Sequence, residues 1–208
     1  WTMAADVSLY YKQPISLPMG ESYFGLGFNL SNLGGKMTYD DNVSNFIPAN
    51  MRLGVSYEIP FDNYNRLMAT VECNKMLVPT DKSKFAPNGE YSDNEWKDIS
   101  PIKGWLDSFH DAPGYIDKNG KQVSSSLEEF QEVQWGVGLE YSYNRQFFGR
   151  VGYSYENYYK GNRNYLTLGA GFHLSIFSLD FAYCVATAGT NPLDQTMRFT
   201  LGFDLAGI

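Results

Sequence analysis

The sequence contains no apolar run long enough to form a transmembrane helix, which needs about 20 consecutive apolar residues. Its mean hydropathy is also negative, at −0.35. Neither observation excludes a membrane protein, because a membrane-spanning β-barrel exposes only alternate residues of each strand to lipid.

Basic residues, histidines and cysteines are also few. The 208 residues include 16 Lys and Arg against 23 Asp and Glu, so the net charge is −7 and no basic cluster stands out. This charge argues against a nucleic-acid partner. The histidines, His110 and His173, are far apart in the chain and make a weak case for a metal site or a catalytic triad. Cys73 and Cys184 are predicted on opposite strand faces, where a disulfide is geometrically unfavourable.

Motifs for catalysis and cofactor binding are absent from the sequence. There is no G-x-S-x-G, no phosphate-binding loop and no HExxH, and Gly25 and Gly27 lie within a predicted strand without a third glycine. We therefore expect neither an enzyme nor a cofactor. The run Asp40-Asp41-Asn42 has ligands suited to Ca²⁺, although an acidic loop tip is more often simply solvated.

Alternation of apolar and polar residues is the dominant pattern that is present. The clearest case is 196–205, where Met197, Phe199 and Leu201 alternate with Thr196, Arg198 and Thr200. Side chains on a strand point to opposite faces with this period. The pattern predicts nine strands, at about 4–12, 22–31, 49–59, 66–77, 132–143, 147–156, 165–174, 177–186 and 196–205.

Two all-β architectures fit this alternation, a soluble β-sandwich and a transmembrane antiparallel β-barrel. Three features favour the barrel. The polar faces are rich in glycine, which weakens a water-facing strand but suits a crowded interior. The strands have about the length of a tilted membrane span, and short connections alternate with long ones.

The charged residues of the predicted strands share the polar face, which would then face the lumen of the barrel. They either line an aqueous path or form a salt-bridged network that fills the lumen, and we favour the network, because buried charges need partners of opposite sign. The predicted lumen-facing residues are Arg52, Glu58, Glu72, Glu140, Arg150, Asp180, Arg198 and Asp204.

Strand parity leads to a prediction about domain organisation. If the long connections are external, the last strand ends in the periplasm and the first begins outside. Bacterial barrels usually have an even number of strands with both termini in the periplasm. We therefore expect residues 1–208 to be the C-terminal portion of one larger barrel, with an odd number of strands preceding them.

The longest connection, at about 78–131, is predicted to be a large external loop. Its segment 102–109 places Ile102, Trp105, Leu106 and Phe109 at helical spacing. This piece either packs on the rim or plugs the barrel, or it contacts a partner. For the second case we predict Trp96, Trp105, Phe109 and Tyr115 as binding anchors, because exposed aromatic residues commonly serve this purpose; these anchors are in the same loop.

Six blocks of the sequence carry a family resemblance through their order and spacing: 47–57, 72–79, 108–114, 135–141 continuing to 163, 168–172 and 191–193. Together they resemble the PorV family of outer-membrane proteins in the type IX secretion system of Bacteroidetes. The family is related to FadL-type fatty-acid transporters, and the resemblance covers nearly the whole chain. One departure is the end of the chain, which lacks a terminal aromatic residue.

The resemblance implies a FadL-like barrel of about 14 strands in the bacterial outer membrane, of which this chain supplies about nine. It also implies a non-enzymatic role. Such a protein binds the C-terminal signal domain of secreted cargo at a large translocon barrel, and shuttles it to the surface sortase complex for attachment to lipopolysaccharide.

Two other functions are considered. One is a FadL-type transporter of lipids or other hydrophobic molecules, which needs an apolar pocket in the lumen; the polar, glycine-rich faces argue against it. The other is an enzyme acting on outer-membrane lipid, for which we find no clustered nucleophile and base.

Overall fold

The alternating segments form the strands of one large antiparallel sheet. The computed structural model describes residues 2–40, 43–80, 98–188 and 193–204. Nine strands pair in the order β1-β2-β5-β6-β9-β10-β11-β12-β13, which confirms the predicted all-β fold. Among the described residues, the first and last strands of this order are not paired with each other. Its strands are β1 (Ala4–Leu17), β2 (Gly20–Gly34), β5 (Asn50–Pro60), β6 (Asn65–Met76), β9 (Gln134–Tyr143), β10 (Phe147–Tyr155), β11 (Asn164–His173), β12 (Phe177–Ala188) and β13 (Thr196–Phe203).

The predicted strands all form, and most of their ends shift by one to three residues. The largest difference is in β1, which continues past its predicted end at residue 12, through Pro14, to Leu17. Proline lacks a backbone N–H and is tolerated in edge strands, and β1 lies at one end of the strand order.

The connections contain smaller elements that the alternation does not reveal. Between β2 and β5, strands β3 (Lys36–Asp40) and β4 (Val43–Phe46) form a hairpin. Between β6 and β9 lie helix α1 (Pro101–Asp107), the hairpin of β7 (Tyr115–Ile116) with β8 (Gln122–Val123), and helix α2 (Ser125–Gln131). Among the described residues, no helix is long and apolar enough to cross a membrane.

The chain divides into two compact units. The first consists of Trp1–Leu9, Phe28–Arg52 and Asn74–Val133. It holds the hairpin of β3 with β4 and the two helices. It also contains four buried apolar residues, which are Ala49, Leu77, Ala112 and Val123.

The second unit consists of Tyr10–Gly27, Leu53–Cys73 and Gln134–Ile208. The pairing of its strands places apolar residues next to one another on one continuous face. Val151 of β10 pairs with Leu139 of β9 and with Leu168 of β11. Leu168 pairs in turn with Tyr183 of β12, and Tyr183 with Met197 of β13. Directly paired residues of antiparallel strands lie on the same face, so the predicted apolar side chains line up across five strands.

This apolar face is exposed. Phe199 retains 71% of its accessible surface and Phe203 retains 67%. A soluble sandwich would cover such a face with a second sheet. The other face of the same strands carries the charged residues, with Arg150 paired to Glu140 across the β9–β10 ladder.

Cys73 and Cys184 are both free thiols. Cys184 pairs with Thr167 and Thr196, which places it on the polar face as predicted.

The two faces of β13 are expected to respond differently to a new charge. Phe199→Lys places an ammonium group on the apolar face, where a Lys or Arg near the bilayer midplane costs about 2–4 kcal/mol. Thr200→Lys places the same group on the polar face, where residue 200 lies directly opposite Asp180. Urea titration of protein folded into liposomes should show a much larger loss of unfolding free energy for Phe199→Lys. Equal losses would contradict the assignment of the faces.

Candidate functional site

The connection between β6 and β9 owes its helices to serine caps. Ser100 Oγ accepts a hydrogen bond from the Lys103 backbone N–H at 3.4 Å, and Pro101 occupies the first turn of α1. Ser124 Oγ accepts from the Leu127 backbone N–H at 3.4 Å and so caps α2. A serine at this position satisfies one of the backbone donors left free at the start of a helix, so two short helices form within a long connection.

A short hairpin separates the two helices. Tyr115 pairs with Val123, and the turn is closed by Asp117, whose Oδ1 accepts from the backbone N–H groups of Asn119 at 2.8 Å and Lys121 at 2.9 Å. We call residues 98–133 the docked loop, because buried polar contacts attach them to the end of β6 and the residues that follow it.

The first attachment is an ionic cluster around Lys75. The side chain of Lys75 is buried, and its Nζ donates to Glu129 Oε2 at 3.0 Å and to Glu132 Oε2 at 2.8 Å. Glu129 belongs to α2, and Glu132 directly follows the helix. Removing one partner of a buried ion pair is costly because it leaves the other charge uncompensated. The cluster therefore ties α2 to the end of β6.

The second attachment joins Asp111 to Thr80. Asp111 Oδ2 accepts from the Thr80 backbone N–H at 2.8 Å, and its Oδ1 accepts from the Thr80 hydroxyl at 3.1 Å. Burial raises the pKa of Asp111 above its ordinary value, and the nearby Glu129 and Glu132 carboxylates add to this, although the bonds from Thr80 oppose it. The carboxyl group therefore holds a proton to higher pH when the loop is docked than when it is not.

The third attachment clamps the segment after Asp111 onto α2. Glu129 Oε1 accepts from the Ala112 backbone N–H at 2.7 Å, and Glu128 Oε2 accepts from the Gly114 backbone N–H at 2.6 Å. Glu128 is only 1% exposed. Gly114 has φ +79, which disfavours any residue with a side chain. Lys75 of block 72–79 and Ala112 of block 108–114 both donate to Glu129, so two of the blocks that carry the family resemblance meet at one side chain.

Helix α1 packs closely and leaves apolar side chains outside. Gly104 is buried, and a Cβ at this position would lie 2.9 Å from Phe46 Cε1 and 3.0 Å from Pro79 Cδ. Ile102 and Leu106 flank it in sequence, yet each is 65% exposed. Phe109 is 45% exposed, and its ring centroid lies 6.0 Å from Lys75 Nζ. On α2, Leu127 and Phe130 are also exposed.

The predicted binding anchors have different surroundings. Among the anchors that the structure describes, Phe109 is exposed and Trp105 is half-buried. Tyr115 is half-buried, and its hydroxyl donates to Gln131 Oε1 at 2.6 Å within the docked loop. Trp96 lies outside the described residues. Partner binding by these four residues stays a prediction. Sequence reasoning missed Leu127 and Phe130, although their spacing just after the Ser124 cap is a helical signal.

The structure joins some of the predicted lumen-facing charges. Arg150 Nε donates to Glu140 Oε2 at 2.6 Å, and its Nη1 donates to Asp180 Oδ1 at 2.5 Å. Two partners were not predicted. His173 Nε2 lies 3.1 Å from Asp180 Oδ2, and Arg66 Nη1 donates to Glu58 Oε1 at 2.6 Å.

The glycines of the polar face make room for this network. A Cβ on Gly171 would lie 2.6 Å from Asp180 Oδ1 and 3.0 Å from Arg150 Nη1. For the remaining predicted residues, Arg52, Glu72, Arg198 and Asp204, orientation toward a lumen stays a prediction. Arg198 does line a recess of about 160 Å³ with Arg150 and Asp180.

Within the described ranges, no three His, Cys, Asp or Glu residues form a group that could hold a metal ion. Asp41 and Asn42 of the predicted Ca²⁺-binding run lie outside the described residues.

Comparison with known families bears on the first part of the chain. Residues 2–83 match the family model described as "Type IX secretion system protein PorV". The resemblance to PorV is confirmed over this range. The matched range ends just after Thr80 and so includes the strand end that receives the docked loop. The description names a secretion-system component rather than an enzyme. No curated protein matches the chain.

Lys75 is expected to control docking of the loop. Lys75→Met leaves Glu129 and Glu132 without their buried cation, and breaking a buried ion pair in this way typically costs about 3–5 kcal/mol. Lys103→Met is the control, because the Lys103 side chain is 64% exposed and pairs with Asp107 on the surface of α1. Hydrogen exchange of residues 109–132 should accelerate in Lys75→Met alone. Unchanged exchange in that variant would contradict the anchoring role.

The raised pKa of Asp111 predicts that the contribution of this one residue to docking grows as pH falls. A carboxyl group with a higher pKa in the docked state binds its proton more tightly there. The contribution of Asp111 is fully present below its undocked pKa, about 3.9 for an ordinary Asp, and is lost as pH rises through the docked pKa. Asp111→Asn should flatten this dependence, because the amide does not titrate; its oxygen can still accept the bond from the Thr80 backbone N–H. Hydrogen exchange of residues 109–132, compared between variant and wild type at each pH, measures it; parallel profiles would contradict it.

Proposed function

We propose that this chain is part of an outer-membrane component of the type IX secretion system. In this proposal the protein binds the C-terminal signal domain of secreted cargo at the translocon barrel and shuttles it to the surface sortase complex. The observation that carries the proposal is the match of residues 2–83 to the PorV family model, whose description names that secretion system. The cargo and shuttle steps follow from the family resemblance.

The exposed apolar face of the sheet supports a place in the outer membrane. Burying apolar surface is worth roughly 25 cal/mol per Å², so a face of this extent is costly in water and favourable in lipid. Among the described residues, buried apolar side chains are few and small, while Phe199, Phe203 and Met197 are each more than 60% exposed. Lipid contact removes that cost without a second protein layer.

The docked loop supports a role in binding cargo. Its buried attachments through Lys75, Asp111 and Glu128 hold α1 and α2 in place before any partner arrives. A surface that is already ordered loses less conformational entropy on binding. Ile102, Leu106 and Phe109 then offer an apolar contact area of the kind that anchors protein interfaces. In this proposal the loop faces the cell surface, where cargo emerges.

Replacing the exposed side chains of the docked loop is expected to weaken cargo capture. Leu106→Ser combined with Phe109→Ser removes apolar contact area but leaves Lys75, Asp111 and Glu128 in place. Loss of interface anchors typically costs about 2 kcal/mol or more. We therefore expect the dissociation constant for a purified cargo signal domain to rise at least tenfold. The full-length protein in detergent is used.

Lys121→Ala, at the tip of the hairpin of β7 with β8, is the matched control, because it changes an exposed residue of the same loop. Circular dichroism and hydrogen exchange should show that all variants stay folded and docked. Cargo affinity that is unchanged in the double variant would remove the docked loop from the binding site. Failure of the wild-type protein to bind cargo or translocon at all would overturn the proposed function.

A further inference from the structure

The loop between β10 and β11 is held rigid by a buried carboxylate. Glu156 is 4% exposed and accepts from Arg163 through Nη2 at 2.6 Å, Nε at 2.8 Å and the backbone N–H at 3.0 Å. Gln134 Nε2 donates to it at 2.6 Å. Burial acts to raise the pKa of Glu156, but the bonds from Arg163 and Gln134 outweigh it and hold the pKa below its ordinary value. The carboxylate therefore stays ionised and keeps its partners.

The backbone of this loop is fixed as well. Asn157 Oδ1 accepts from the Tyr159 backbone N–H at 2.9 Å and caps a single 3₁₀ turn, Tyr158–Lys160. Gly161 has φ +133 and passes so close to Glu156 that any side chain on it would collide with the carboxylate. A side chain at residue 161 is thus excluded by both strain and space.

The rigid turn presents two aromatic rings. Tyr158 is 60% exposed and Tyr159 is 40% exposed, and their rings meet edge to face with centroids 5.1 Å apart. Keeping two tyrosines exposed on an ordered turn favours contact with a surface that has both apolar and polar character. Tyrosine has this dual character, since its ring is apolar and its hydroxyl forms hydrogen bonds.

The position of the turn along the sheet identifies that surface. The apolar face of β9 and β10 ends in the pair Trp135 and Tyr155, which are 36% and 44% exposed. Tyr158 follows Tyr155 by three residues, a reach of at most about 10 Å. At the opposite end of the same face, Phe147 pairs with Tyr143 and contacts Phe172, with ring centroids 5.0 Å apart.

The spacing of the two aromatic ends fits a bilayer. Phe147 and Tyr155 are the first and last residues of β10, eight residues apart, which corresponds to about 26 Å along a strand. At the 35–45° tilt of membrane strands this spans about 19–22 Å across the membrane, near the ~25 Å apolar band that aromatic girdles flank. When Phe147 lies at one boundary, Tyr155 lies close to the other.

We propose that the Tyr158–Lys160 turn is a preformed anchor in the lipid headgroup layer, held there by the Glu156–Arg163 pair. Its rings extend the aromatic boundary formed by Trp135 and Tyr155 and fix the depth of the sheet in the outer membrane. Tyr and Trp favour this layer, where the ring meets acyl chains and the polar group meets headgroups. This inference rests on the membrane placement in the proposed function but is independent of cargo binding.

Depth measurements with spin labels test the anchor in full-length protein reconstituted alone into lipid nanodiscs, without cargo or translocon. Cys73 and Cys184 are first replaced by serine, and single labels are placed by Tyr158→Cys, Val151→Cys and Asn119→Cys. Collision rates with oxygen and with a water-soluble nickel chelate report depth. Val151 marks the apolar face and Asn119 the tip of an exposed hairpin.

We expect the label at 158 to be several-fold less accessible to nickel than the label at 119, and less accessible to oxygen than the label at 151. A label at 159 should show the same nickel and oxygen accessibilities as the label at 158. Nickel accessibility at 158 equal to that at 119 would place the turn in water and overturn the proposal, as would protection from both reagents, which indicates a protein contact.

The role of Glu156 as a positioning residue has its own readout. Glu156→Gln keeps the shape of the side chain but removes the charge that holds Arg163, so the label at 158 should become more mobile and its depth less defined. Unchanged mobility of the label would contradict the proposal that the Glu156–Arg163 pair holds the turn in place. Because no partner is present, loss of cargo binding leaves these results unaffected, and the two proposals fail separately.

Discussion

Segregation of charge to one face of the sheet is the constraint on which the rest of this structure depends. From β9 to β13, residues paired across the strands keep apolar side chains together on one face, and Arg150, Glu140 and Asp180 together on the other. An unpaired charge in hydrocarbon is expensive, whereas a charge on the opposite face can find a partner. Glycine at residue 171 leaves the space that this pairing needs.

Charge is used in another way where the chain leaves the sheet. The docked loop is attached by polar contacts of Lys75, Asp111 and the glutamates of α2. Glu156 and Arg163 do the same for the turn at Tyr158. We infer that these carboxylates, each with several charged or backbone donors, select one arrangement of their segment, a role that buried ionic groups have in some proteins. Both segments can therefore keep apolar side chains exposed for other contacts.

Periodicity was sufficient to predict the sheet but not the loops. Alternation depends on the sequence alone, so strands such as 147–155 were predicted to within a residue. The attachment of Lys75 to Glu129 and Glu132 joins residues 54 and 57 positions apart and has no local signature. His173 and Asp180 are only seven positions apart, but they lie on neighbouring strands, so their contact depends on the register of the two strands. Phe109 was predicted as a binding anchor from its residue type, and its exposure agrees with that role without testing it.

A scan of lipid exposure along β13 tests most directly whether the apolar face of the sheet meets lipid. Single nitroxide labels at each residue from 196 to 203, in protein reconstituted into a bilayer, would report collision with oxygen dissolved in the acyl chains. If the apolar face meets lipid, this collision rate oscillates with period two and peaks at 197, 199, 201 and 203, where Met, Phe, Leu and Phe occupy the exposed apolar face. A flat profile, or one that peaks at Arg198 and Thr200, would contradict it.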